Sequence, residues 1–235
     1  MTLLEIVNVE ARYGDLNALF GVSLQISAGE VRSVIGANGA GKSTLLKVIA
    51  GTMPATQGSI KFNGHDIKGL SADKRVRAGI SLVPEGRRIF PSLTVEENLK
   101  VGAYSKRKGH WDLNTIKALY PLLADRWDRI GFHCSGGELQ MLSIGRALMA
   151  NPEILLIDEA SLGLAPVVVA QVYESLSQIT SQGTAVLIVE QDMRQALKAS
   201  TYSSVLLEGR VVLEGKSAEL NENAIHKAYF GMGDR

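Results

Sequence analysis

Cysteine is almost missing from this chain: Cys134 is the single thiol among 235 residues. That excludes a disulfide within the chain and a cysteine-rich metal site, and it fits a reducing compartment. A dominant sign of charge is missing too. Lys and Arg total 25 against 24 Asp and Glu, a formal net charge of +1, which argues against a general nucleic-acid binder with a large basic face. No window approaches the roughly 20 apolar residues that a spanning helix requires. The longest apolar runs, at 154–157 and 185–189, are strand-sized. Met1-Thr2-Leu3-Leu4-Glu5 holds no basic stretch leading into an apolar core, so no secretory signal is expected. There is no internal repeat and no low-complexity segment.

What is present is 46% hydrophobic and 21% charged residues, the balance of a globular protein with one domain and a sizeable core. Residues 3–9 and 20–26 read as strands about a turn at Gly14, and 31–35 as a short β-rich run. Residues 42–50 read as a helix closed by Gly51, and 58–62 as a strand closed by the hairpin signal Asn63-Gly64. Ser71 caps a short helix to Ala78, and 80–83 is a buried-type strand. From Thr94-Val95-Glu96-Glu97, at capping-box spacing, to about residue 150 the chain reads as mostly helical, including 113–123 and 138–150. Strands at 154–158 and 185–189 then alternate with helices at 166–181 and 191–199. A hairpin (204–207 with 211–213) and a helix at 224–230 finish the chain. Buried strands alternating with helices predict an α/β fold with a largely parallel sheet covered on both faces, interrupted by a helical insert.

Gly36-Ala37-Asn38-Gly39-Ala40-Gly41-Lys42-Ser43 matches the phosphate-loop pattern. Glycines let successive backbone N–H groups point at phosphate oxygens, and the following helix aims its positive end at the same anion. Lys42 supplies a compact positive charge for the β- and γ-phosphates, and the Ser43 hydroxyl is a ligand for Mg²⁺. Ile154-Leu155-Leu156-Ile157-Asp158-Glu159 delivers two carboxylates at the C-terminal end of an apolar strand, where open α/β sheets bind ligands. Asp158 there suits Mg²⁺, and Glu159 suits orientation of an attacking water. Taken alone, the two acids are equally a solvated strand end. Ser135-Gly136-Gly137-Glu138 places a Ser and two glycines before a helix. That is either a second anion site or, by its spacing, a capping box.

Taken together, these segments resemble the nucleotide-binding subunit of ABC transporters over nearly the whole chain. Residues 36–44, from Gly36 through Gly39, Gly41 and Lys42 to Thr44, resemble the family's phosphate loop. Ser135-Gly136-Gly137-Glu138 resembles its signature motif, and 154–159 the strand with the Mg²⁺-linked Asp158 and catalytic Glu159. Tyr13 stands where the family places an aromatic against adenine, though by itself it reads equally as a strand surface residue. The resemblance implies a P-loop NTPase fold with an antiparallel β subdomain. Its core would span residues 1–85 and 151–235, and its helical subdomain 86–150. It implies ATP and Mg²⁺ as ligands, and a head-to-tail dimer with a second ATPase subunit, the same or homologous. In that dimer the signature of one subunit closes on ATP held by the other. It further implies transmembrane permease partners, an indirect link to a solute-binding protein, no nucleic acid, and a cytoplasmic position on the inner face of the cell membrane. Family coupling to the permease would lie near Glu85, Arg87 and Phe90.

More narrowly, the chain resembles the second ATPase of branched-chain amino acid importers. Val83-Pro84-Glu85-Gly86-Arg87-Arg88-Ile89-Phe90, Leu93-Thr94-Val95-Glu96-Glu97-Asn98-Leu99, Ser161-Leu162-Gly163-Leu164-Ala165-Pro166 and Val189-Glu190-Gln191 carry that likeness. Glu85 takes the place of the usual Mg²⁺-contacting Gln, Gln191 that of the switch His, and Ala165 that of an interface Asp. Gln191 can donate to a γ-phosphate but cannot carry a proton at neutral pH. These choices suit the subgroup and point away from fast turnover. Ala160, Cys134 and Leu139 depart individually from the family pattern. An importer ATPase is the leading reading, against a weakly hydrolysing regulatory module or a soluble ABC ATPase outside transport.

Overall fold

Val31–Ile35, Ile154–Asp158 and Ala185–Glu190 are buried at every residue, as strands covered on both faces must be. They form the centre of the computed structural model, which describes residues 2–220 and 222–229. In chain order the elements begin with β1 (Thr2–Tyr13), β2 (Leu16–Ser27), β3 (Val31–Ile35) and α1 (Lys42–Ala50). Next come β4 (Gln57–Phe62), β5 (His65–Asp66), α2 (Ala72–Ala78) and β6 (Ile80–Val83). Four helices follow: α3 (Val95–Gly102), α4 (Leu113–Leu119), α5 (Pro121–Ala124) and α6 (Gly136–Leu148). The chain then returns to strands with β7 (Ile154–Asp158), α7 (Pro166–Ser181), β8 (Ala185–Glu190) and α8 (Met193–Ala199). It ends with β9 (Tyr202–Leu207), β10 (Arg210–Lys216) and α9 (Glu222–Tyr229).

Six strands make the main sheet, in the order β10-β9-β3-β8-β7-β6. All its pairings are parallel except β10 with β9. A second, antiparallel sheet has the order β2-β1-β4-β5. The strand period of two sorts the main sheet's side chains into two cores. Ile154, Leu156, Ala185, Leu187 and Val189 join α1 and the antiparallel sheet on one side. Leu155, Ile157, Val186 and Ile188 join α3, α4, α6 and α7 on the other. The α/β architecture, the mostly parallel core sheet, the antiparallel sheet and the helical stretch between β6 and β7 therefore all stand as the sequence predicts.

Several boundaries move, each for a local reason. The first two strands run well beyond 3–9 and 20–26, because bulges near Val9 and Ala11 break the alternation without ending the pairing. Residues 113–123 divide into α4 and α5 at Tyr120, which precedes Pro121 and leaves the helical region with ψ 77°. The helix expected from Glu138 starts at Gly136, since Ser135 is its N-cap and Glu138 its third residue. The helix expected from Gln191 starts at Met193, because Asp192 caps it by accepting from Arg194 N at 3.0 Å and Gln195 N at 3.1 Å. Of the C-terminal helix, Phe230 lies outside the described residues.

One buried charge fixes the end of α1. Arg75, 2% exposed, donates to Val48 O at 2.7 Å, Ile49 O at 2.8 Å, Leu70 O at 3.0 Å and Lys68 O at 3.0 Å. Two of these carbonyls belong to the last turn of α1, where helices leave acceptors unpaired. Arg75→Met is expected to cost about 2–4 kcal/mol in urea unfolding, since buried acceptors lose a charged donor.

Candidate nucleotide site

Helix α1 begins without a side-chain cap. Its N-cap is Gly41 at φ 103°, so the first N–H groups of the helix remain free for an anion. Two glycines are required by close approach. A Cβ on Gly36 would stand 2.5 Å from Leu206 O, and one on Gly41 2.8 Å from Ala18 O. The loop is also knitted to distant chain: Gly209 N donates to Ala40 O at 2.9 Å, and Gly209 O accepts from Phe20 N at 2.9 Å.

A cleft of about 380 Å³ opens over this loop, lined by Tyr13, Asn38, Gly39, Gly41, Lys42, Ser43, Thr44, Glu85 and Glu159 among others. Nine of the sequence-predicted residues thus share one wall. Gly36 is not in the lining; its N–H donates to Glu190 O at 3.2 Å and its carbonyl faces Lys42. Leu16, Asn17 and Ala18 line the cleft as well, and nothing in the sequence marked them.

Lys42 is 4% exposed. Its Nζ donates to Gly36 O at 2.8 Å and Ala37 O at 3.1 Å, and it pairs with Glu159 at 3.4 Å. The ammonium is therefore held inside the curl of the loop. Glu159 sits at φ 52°, a left-handed conformation that costs a non-glycine residue about 1–3 kcal/mol. Its N–H is fixed by Val189 O at 3.0 Å.

Asp158 accepts from Ser43 Oγ at 3.0 Å. Burial pushes its carboxyl above the usual range, and Glu85 and Glu159 push the same way, while Ser43 and Lys42 act against them. Ser43, Glu85 and Glu159 line the cleft, and Asp158 lies behind Ser43 outside the lining, so oxygen ligands suited to a hard cation gather on this side. Among the described residues no three His, Cys, Asp or Glu are grouped to hold a metal by themselves. A Mg²⁺ ion commonly uses one or two carboxylates together with substrate phosphates, and Ser43, Asp158 and Glu85 fit that division.

Tyr13 is 49% exposed, with its hydroxyl 3.4 Å from Thr44 Oγ1 and Lys47 Nζ 6.0 Å from its ring centre. An open aromatic face therefore stands at the rim of the cleft. The Gln191 amide donates to Asn38 Oδ1 across the loop. Ser135 and Glu138 form a full capping box, with Glu138 N donating to Ser135 Oγ at 3.3 Å and Ser135 N to Glu138 Oε2 at 2.6 Å. Burial alone would raise the Glu138 carboxyl, yet the Ser135 N–H and Arg126, at 3.0 Å, hold it low. Ser135, Gly136, Gly137 and Glu138 do not line the cleft of their own chain. Arg87 joins three segments: its guanidinium donates to Leu162 O at 3.3 Å and lies beside Gly136, while its carbonyl accepts from Ser143 Oγ at 2.8 Å.

The family model described as ABC transporter matches residues 19–162. The high-affinity branched-chain amino acid transport ATP-binding protein BraG of Pseudomonas aeruginosa is 43% identical over 232 residues, covering 97% of this chain and 100% of that relative. The crystal structure of the ADP conformation of MJ1267, an ATP-binding cassette of an ABC transporter, superposes with a TM-score of 0.84. It is 28% identical and covers 98% of this chain and 99% of that one. The dimeric post-hydrolysis state of the ATP-binding cassette MJ0796, bound to ADP and Pi, gives a TM-score of 0.81 at 25% identity over 92% of this chain and 99% of that one. Among the described residues no helix is long and apolar enough to cross a membrane.

Proposed function

The chain belongs to the ABC transporter family, and from that premise we propose that it is the ATP-hydrolysing subunit of an importer for branched-chain or related amino acids. The observation that carries this is the division of the site. One cleft gathers Tyr13, the phosphate loop, Glu85 and Glu159, while Ser135–Glu138 stands outside it. The adenine stacks on the open face of Tyr13. The phosphates lie against the N–H groups that begin α1, with Lys42 Nζ on the β- and γ-phosphates. Ser43, Asp158 and Glu85 would hold Mg²⁺, which would supply positive charge against the phosphate oxygens. Glu159 orients the attacking water, and the Gln191 amide reads the γ-phosphate.

The Ser135–Glu138 helix start then closes on nucleotide held by a second ATPase subunit, identical or homologous, and dimer closure drives the transmembrane permease. A solute-binding protein delivers the cargo to that permease. Residues 86–150 act as a helical lobe on a core made of 1–85 and 151–235, and the loop that runs from Glu85 in the cleft through Arg87 to Phe90, 46% exposed, couples the site to the permease. On this reading the chain works at the inner face of the cell membrane.

A weakly hydrolysing regulatory partner is the second reading. It is favoured by Ala165, which caps α7 with no side-chain bond, and by Gln191, which cannot relay a proton. Turnover of the chain alone, with its partner ATPase, and in liposomes with its permease separates the two. We expect stimulation of at least about tenfold, with ATP-dependent leucine, isoleucine or valine uptake; basal hydrolysis under all three conditions would instead support the regulatory reading.

A further inference from the structure

Glu190 closes a strand of six buried residues and is itself 2% exposed. An ionisable group so placed must be satisfied by hydrogen bonds. Its carboxylate accepts from Tyr173 Oη at 2.7 Å, from Ser161 Oγ at 3.0 Å and from Ser161 N at 3.2 Å. A packing role would be met by an apolar side chain, so what these three bonds join needs a reason.

They join the pieces that surround Glu159. Ser161 lies two residues after Glu159, whose backbone is in the left-handed region. On the other side, Val189, just before Glu190, accepts the Glu159 N–H at 3.0 Å, and Glu190 O accepts Gly36 N at 3.2 Å. The next residue, Gln191, reaches Asn38 on the phosphate loop. The end of β8 thus grips the turn at 159–161 twice, by main chain before it and by the Glu190 side chain after it. Tyr173, from α7, braces the carboxylate from the helix that follows the same loop.

We propose that Glu190 is a positioning residue: through Ser161 it pins the turn that aims the Glu159 carboxylate into the cleft, and it ties the 161–165 loop to Gln191 and the phosphate loop. The inference rests on the reading of Glu159 as the residue that orients water. Burial raises the Glu190 carboxyl above the usual range while Tyr173 and Ser161 oppose that rise, which fits a carboxylate retained for the bonds it accepts.

The test is steady-state hydrolysis by the full chain, with ATP affinity measured separately. Glu190→Ala is expected to lower kcat at least about twentyfold while KM and ATP affinity stay within about twofold, because small misplacement of a catalytic group costs turnover more than binding. Glu190→Gln, whose amide oxygen still accepts from Ser161, should recover to within about fivefold of the unmodified chain. Added to Glu159→Gln, Glu190→Ala should cost nothing more, since both act through one carboxylate. If Glu190→Ala fails to fold, Ser161→Ala removes a single hydroxyl and should lower kcat about fivefold at an unchanged melting temperature. A kcat within threefold for Glu190→Ala, or equal losses in kcat and affinity, or an additive loss on the Glu159→Gln background, overturns the proposal; so does an unchanged kcat in Ser161→Ala where that variant carries the test. Glu159→Gln assayed alone keeps the two readings apart: full turnover there sinks the role of Glu159, whereas its loss beside an unaffected Glu190→Ala sinks only the positioning role.

Discussion

Glu159→Gln is expected to bind ATP with affinity unchanged or improved and to release phosphate at least about a hundredfold more slowly, trapping a closed pair of subunits. Gln keeps the shape of the side chain and its ability to accept from a water, but it removes the charge. Two consequences follow from the geometry. Lys42, 3.4 Å from the carboxylate, loses a competitor for its ammonium, so phosphate binding gains. The electrostatic crowding that Glu159 imposes on Asp158 also falls, which eases the approach of a triphosphate. Turnover suffers because a water facing the γ-phosphate loses its anionic partner. Size-exclusion chromatography with Mg²⁺ and ATP, beside a phosphate-release assay, reads both effects. Turnover at the unmodified rate would remove Glu159 from the chemistry.

Lys42→Ala should have the opposite profile, with ATP affinity falling at least about a hundredfold, which corresponds to roughly 2.7 kcal/mol. The Lys42 ammonium is already 4% exposed and oriented by two loop carbonyls, so a phosphate meets a preorganised charge. Without it, Glu159 meets the incoming anion with its ion pair to the ammonium lost. The nucleotide-free chain should be weakened as well, since the Glu159 carboxylate, its side chain only 9% exposed, loses its partner. Lys42→Arg provides the control: the planar fork cannot occupy a site shaped for a compact ammonium, so restoring charge alone should not restore binding. Equilibrium ATP binding and thermal melting, with and without nucleotide, check these expectations. Retained affinity in Lys42→Ala would show that the backbone N–H groups suffice.

The parts of this structure that were legible in the sequence are those set by short-range rules. The apolar runs at 154–158 and 185–189 read as buried strands, and they are; 31–35 read only as a β-rich run, because Arg32 and Ser33 concealed that it too is buried throughout. The phosphate loop announced itself through its glycines, and Ser135 with Glu138 through their spacing. The longer extent of β1 was hidden because bulges destroy the alternation on which strand reading depends. The break at Tyr120 was carried by Pro121, a signal that was present but outweighed by helical spacing on both sides. The cleft wall at Leu16, Asn17 and Ala18 depends on how one sheet folds over another loop, which no local pattern records. Glu190 was different: a charged residue ending an apolar run is itself a signal, but its partners Ser161 and Tyr173 lie 29 and 17 residues away. The sequence placed Glu190 beside Gln191 without saying what it holds.

The contacts of Gly209 with Ala40 and Phe20 have a consequence in time. A loop near the start of the chain receives part of its final shape from a turn close to the other end, and β3, which leads into it, lies between β8 and β9. During translation, residues 36–44 leave the ribosome well before these neighbours exist. Synthesis from residue 44 to residue 209 takes roughly 10–30 s at usual rates. Through that interval ATP has no finished cradle to enter, so nucleotide cannot template early folding. The chain becomes competent for ATP late in its own production, when the strands on either side of β3 have docked.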